Sequence, residues 1–195
     1  TLANAESLVK TTNESYVRQT NSLYGMVQLS WKNAIFLDIT GRNDWSSTLP
    51  ASNRSYFYPS VSGSVVLNEI WDFGRTNGLV NLMKVRASWA QVGHDTAPYR
   101  IEEFFASTMF PGNITTQSKK VNGSLKPEMV SSWEVGLDLR MFRNRLNLDI
   151  SYYNSKTTNA LAQMPVSAAT GVDNVFTNAG SIRNQGVEFS LNFNP

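Results

Sequence analysis

The 195-residue chain carries 41% hydrophobic and 16% charged residues, with a formal net charge of +2. That is too apolar for a disordered tail and too sparsely charged for an ordinary soluble surface, where about a quarter of residues are charged. The small net charge, with no run of lysines or arginines, gives no basis for a nucleic-acid groove. Cysteine is absent and His94 is the one histidine, so a disulfide framework and a thiolate metal site are excluded and no metal or cofactor is expected. The opening "TLANAESLVK" lacks the basic-then-apolar pattern of a signal peptide. No apolar run approaches the length of a transmembrane helix, which leaves strands as the only means of crossing a membrane.

Residues 1–22 read as a polar lead-in. Strict alternation follows, first in Leu23, Gly25, Val27, Leu29 and Trp31, then, after a tight turn at 32–34, in Ile35, Leu37, Ile39 and Gly41. A third segment sets Val61, Gly63, Val65 and Leu67 against Ser60, Ser62, Ser64 and Val66. A fourth sets Met83, Val85, Ala87 and Trp89 against Lys84, Arg86 and Ser88. Trp133, Val135, Leu137, Leu139 and Met141 form the fifth, which turns through Arg143-Asn144 into Leu146, Leu148, Ile150 and Tyr152. Val187, Phe189, Leu191 and Phe193 make the seventh.

One face of every segment is free of charge, while the other carries Asp38, Arg42, Lys84, Arg86, Glu134, Asp138, Arg140, Asp149 and Glu188. The contrast lasts about nine residues per strand, near what a tilted strand needs to cross a hydrocarbon layer. A β-sandwich with its apolar face inward gives the same alternation. The connections favour a barrel: 32–34, 68–80 and 142–145 fall at one end of an up-and-down sheet, and the longer 43–57, 92–131 and 156–184 at the other. Outer-membrane barrels show this asymmetry of short periplasmic turns and long extracellular loops. Trp31, Trp89, Trp133, Tyr56 and Tyr58 suit interfacial girdles. Seven strands cannot close an even-numbered barrel, and an open edge in lipid strands several kcal/mol per unpaired group. The sequence therefore reads as an all-β, antiparallel segment of a larger barrel.

Particular stretches carry a resemblance. "GRNDWSSTLP" (41–50), "SYFYPSVSGS" (55–64), "KVRASWAQVGHDTAPY" (84–99), the long run from Gly123 to Leu161 and "NAGSIRNQGVEFSLN" (178–192) follow one another in family order. In these the chain resembles the barrel of SusC/RagA-type TonB-dependent outer-membrane transporters of Bacteroidetes. One departure is Asn122-Gly123-Ser124 before "LKPE", where that family commonly has an Asn-Pro lead. The resemblance implies that residues 23–195 form part of a barrel of about 22 strands, with the plug domain outside them. It also implies TonB-dependent import of an oligosaccharide or peptide, with a SusD-like surface lipoprotein as partner, TonB acting through the plug, and lipid around the barrel.

If the apolar face meets lipid, the nine charged residues above line the lumen, where they hydrate the wall, pair across strands and hold the plug. A two-residue loop at Arg143-Asn144 sets Asp138 opposite Asp149, with Arg140 one step away to offset the repulsion. Asn43, Asp44 and Trp45 combine hydrogen bonding with an indole face and are candidate substrate contacts, although "NDWSST" also reads as a locally capped turn. Phe110, in "MFPGN", is a candidate partner contact. Asn113-Ile114-Thr115 matches a glycosylation acceptor, taken as coincidence in a bacterial setting. The chief alternative is a soluble or surface β-sandwich that binds carbohydrate. An enzyme is not expected: His94 lies in a loop-like segment with no nucleophile elbow, and Glu102 and Glu103 are adjacent and diverge on a strand.

Overall fold

The computed structural model describes residues 15–71, 79–101, 106–107, 114–115 and 119–194. In chain order these give β1 (Thr20–Trp31), β2 (Ile35–Ser46), β3 (Ser55–Val66), β4 (Val80–His94), β5 (Ala106–Ser107), β6 (Ile114–Thr115) and β7 (Lys119–Val121). There follow β8 (Glu128–Met141), β9 (Leu146–Thr158), β10 (Leu161–Pro165), β11 (Asn174–Asn178) and β12 (Ser181–Phe193). Seven of them form one antiparallel sheet in the order β1-β2-β3-β4-β8-β9-β12. These are the seven alternating segments of the sequence, each lying beside the next.

The register shows why alternation was so informative. Leu137 pairs with Val85 on one side and Ile150 on the other, and Ile150 pairs with Phe189, so one apolar row crosses four strands. A slip of one residue in any strand would put its whole apolar set on the charged side. Left-handed backbone closes the two tight turns. Lys32 and Asn33 have φ of 50° and 52°, and Ala34 N–H donates to Trp31 O at 2.9 Å. Arg143 and Asn144 have φ of 59° and 64°, and Arg145 N–H donates to Phe142 O at 3.3 Å. Two successive positive φ values match the right-handed twist of a hairpin. A bulge at Asn81 supports the second turn from the adjacent strand: its Oδ1 accepts from Arg143 N–H at 2.7 Å and Asn144 N–H at 3.2 Å.

At the opposite end the strands run further than the alternation of apolar residues indicated. The connections there are 47–54, 95–127 and 159–180, each shorter than the sequence reading gave. Main-chain pairing continues past the apolar band, where polar and apolar side chains share a face, as Asn43 and Trp45 do, and the alternation is lost. His94 accordingly ends β4, and β1 starts at Thr20, inside the assigned lead-in. Within the long connections, β10 pairs antiparallel with β11 and β11 pairs parallel with β7, and β5 pairs with β6. Asn178 reinforces this join, donating to Lys126 O at 2.9 Å and Asn159 O at 2.8 Å and accepting from Lys126 N–H at 2.8 Å.

Apolar burial is scarce. Among the described residues only Ala34, Leu49, Tyr56 and Leu125 are buried hydrophobics, whereas Phe189 and Val187 are about two-thirds exposed, at 63% and 68%. Among the described residues the smaller sheets do not pack across the large one. A sandwich would bury Leu137, Leu139, Leu148 and Ile150 between two sheets; here all four lie part-exposed on an uncovered face. β1 and β12 are free edges, so this is a barrel wall and not a closed barrel.

Candidate functional site

The register places Asp38, Arg42, Lys84, Arg86, Glu134, Asp138, Arg140, Asp149 and Glu188 on one face, with serines from β3 and β4 between them. Asp38, Ser62, Lys84, Arg86, Ser88 and Glu134 line a shallow groove of about 230 Å³. Asp138 does pair with Asp149. The repulsion is relieved mainly from a strand further away: Arg86 Nη1 and Nη2 reach Asp149 at 2.8 and 2.9 Å, and Arg86 Nε lies 3.6 Å from Glu134. Arg140, expected to offset the pair, does so more weakly from the Asp138 side, at 3.8 Å.

Arg86 stands on β4 and Asp149 on β9, with β8 between them. The residue of β8 opposite Arg86 is Gly136, where an added Cβ would sit 2.6 Å from Arg86 Nε. Glycine is thus the gap through which the guanidinium crosses a strand. Gly136→Ala is expected to displace Arg86 and break the two-pronged pair, at a cost of about 1 kcal/mol given its partial exposure. A urea unfolding midpoint lowered by Gly136→Ala but unchanged when Arg86→Met is already present is the result to look for.

Asn43, Asp44 and Trp45 do not converge. They lie within β2, not in a loop, and alternate: Asn43 and Trp45 share the face of Ile39 and Gly41, while Asp44 points with Arg42. Asp44 is buried and already engaged, accepting from Arg42 Nε at 2.8 Å and Tyr58 OH at 2.6 Å. Arg42 also donates to Ser22 Oγ at 3.0 Å and lies over the Tyr58 ring at 5.8 Å. Asn43 Nδ2 donates to Ser55 Oγ at 3.1 Å. Phe110 lies outside the described residues.

A second polar centre escaped sequence reasoning. Asp95, 3% exposed, accepts from Thr48 Oγ1 at 3.0 Å, from Ser46 Oγ and from Arg18 Nη2 at 2.6 Å. It joins the end of β4 to the β2–β3 connection and to the residues before β1. Gln19 and Ser47 add a backbone bond of 3.0 Å, and Leu49 is buried in the same connection. The available signal was that "GHDTAPY" and "DWSST" are both rich in side chains that cap turns.

The opposite face is apolar and ends in a line of rings. Trp89 pairs with Trp133, whose ring centroid lies 5.3 Å from that of Tyr152 one pair lower on β9; Phe57 on β3 stands higher than Trp89. A line stepping down across successive strands is what a level membrane surface cuts across tilted strands. Among the described residues no helix is long and apolar enough to cross a membrane, a fact without bearing on strands.

An antiparallel meander with one uncovered apolar band, one charged face and open edges is the wall of a β-barrel. The family described as TonB dependent receptor-like, beta-barrel matches residues 2–194, and the chain belongs to that family. Similar proteins include TonB-dependent receptor P26 of Formosa agariphila, 30% identical over 89% of this chain, and TonB-dependent receptor SusC of Bacteroides thetaiotaomicron, 28% identical over 89%. The chain spans only 18% of either relative. Among solved structures, the RagAB peptide importer in its closed-closed state superposes with a TM-score of 0.80 at 23% identity, over 88% of this chain and 19% of that one. The siderophore receptor PirA of Pseudomonas aeruginosa gives 0.62 at 16% identity, over 89% of this chain and 31% of that one. The resemblance to SusC/RagA-type transporters is borne out, and the family is one of receptors and importers.

Proposed function

We propose that this chain is a stretch of the lipid-facing and lumen-lining wall of an outer-membrane importer that takes up oligosaccharides or peptides with a SusD-like surface lipoprotein and energy delivered by TonB to a plug. The segregation of the sheet into an uncharged face bounded by Trp89, Trp133 and Tyr152 and a face of paired charges carries this reading. The charges suit a wall that hydrates and grips a plug, because Arg86, Asp149, Arg140 and Asp138 compensate one another and present no single-sign filter. Asn43, Asp44 and Trp45 are retained only as wall residues near the loop end, since Asp44 is already satisfied.

The test uses cells with and without the full-length transporter. Uptake of labelled oligosaccharide, or failing that of labelled oligopeptide, is expected to require the transporter and to collapse on adding a protonophore. Uptake of both labels unchanged in its absence would overturn the proposal.

A further inference from the structure

The outward face finishes in two cations. Gln91, Ser131, Lys156 and Arg183 stand in one cross-strand row on β4, β8, β9 and β12, one pair beyond the row of Trp89, Trp133, Asn154 and Gln185. Lys156 and Arg183 are directly opposite each other and exposed, and no ion pair involves either among the described residues. Like charges opposite one another repel, and this pair stands on the face away from the carboxylates of the charged wall.

Arg183 is anchored. Asn154, only 6% exposed, accepts from Arg183 Nε at 3.3 Å and donates to Gln185 Oε1 at 3.4 Å. That holds the guanidinium by its Nε edge and leaves its terminal nitrogens without a carboxylate partner among the described residues, on the strand pair that also carries Lys156. Depth identifies what they meet. Lys156 is two outward positions beyond Tyr152, about 13 Å along the strand and so about 10 Å higher at a tilt near 40°. With Tyr152 at the edge of the hydrocarbon, a headgroup layer of about 5–7 Å ends just below the backbone of this row, within reach of long Lys and Arg side chains that lean back toward it.

We infer that Lys156 and Arg183 bind the phosphate-bearing headgroup of an outer-leaflet lipid. A guanidinium fork and an ammonium set side by side offer a phosphate several charge-assisted hydrogen bonds while its acyl chains run down the apolar face. The inference rests on the reading that this face meets the bilayer.

The full-length transporter, extracted from its outer membrane in mild detergent, provides the test, with retained phosphate-bearing lipid measured by native mass spectrometry. The double substitution Lys156→Gln with Arg183→Gln is expected to lower retention about tenfold. The exchange Lys156→Arg with Arg183→Lys should retain lipid, as should Lys84→Gln on the charged face. Equal retention by the double Gln variant would overturn the inference. So would a wild-type protein that retains no lipid yet broadens the phosphorus resonance of added inorganic phosphate through these residues, since the site would then serve a soluble anion. A bimane on Leu137→Cys, quenched by nitroxide-labelled lipid, separates the two readings. Without quenching the bilayer-facing reading itself fails; with quenching and undiminished retention, only the headgroup site does.

Discussion

Leu137→Arg is expected to cost about 2–4 kcal/mol of folding stability in the membrane, the penalty for a cation at mid-depth on the lipid side of a barrel. Leu137 is midway along its strand between Trp133 and Met141, in the row with Val85, Ile150 and Phe189, so the arginine can snorkel to neither surface cheaply. Among the described residues the carboxylates of the neighbouring strands stand on the opposite face. Ser190→Arg is the matched control: it pairs with Asp149 on the charged face of the neighbouring hairpin and should change stability by less than about 0.5 kcal/mol. Heat-modifiable gel migration and urea titration of the full-length protein in liposomes report both. Equal losses from the two substitutions would contradict the facing assigned here.

The second large effect is at Asp95. Asp95→Ala should cost about 2–4 kcal/mol, because it removes a buried carboxylate and leaves the Ser46 and Thr48 hydroxyls only each other, one acceptor short, where water is scarce. Asp95→Asn keeps an acceptor for the hydroxyls and loses only the charge toward Arg18, which is itself half-exposed, so its cost should be nearer 1 kcal/mol. Limited proteolysis provides a local readout: cleavage in 47–54 should accelerate in Asp95→Ala well before global unfolding. Unchanged cleavage would show that the β2–β3 connection is held by Leu49 packing and by the Gln19–Ser47 bond, not by this carboxylate.

What was legible follows from which interactions are local. The seven strands and their two faces could be read because the outward residues in the band carry no charge and the charges fall on the alternate positions, a pattern that Leu137, Asp138 and Leu139 show in three letters. The ends of the strands could not, since Asn43, Trp45, Lys156 and Arg183 extend the pairing with polar or isolated side chains. That is why Asn43, Asp44 and Trp45 were read as a loop cluster when β2 divides them between its faces. The direct partner of Asp149 was not legible for a similar reason. Adjacent-strand pairing nominates Arg140, but Arg86 reaches over Gly136 from two strands away, a contact that depends on a missing side chain. Asp95 and the β7-β11-β10 sheet involve connections distant in sequence, whose meeting no local periodicity records.

The stitched connections also have an energetic consequence. In a barrel rim made of independent excursions, each one that a ligand touches must be immobilised on capture, and the affinity is reduced by that lost freedom. Here Asn178 and the parallel contact of β11 with β7 bind two excursions into one plate, and Asp95 clamps a third to the stem of β4. On the proposed reading as an importer, cargo meets β7, β10 and β11 already paired, and a motion that admits it carries those three strands together.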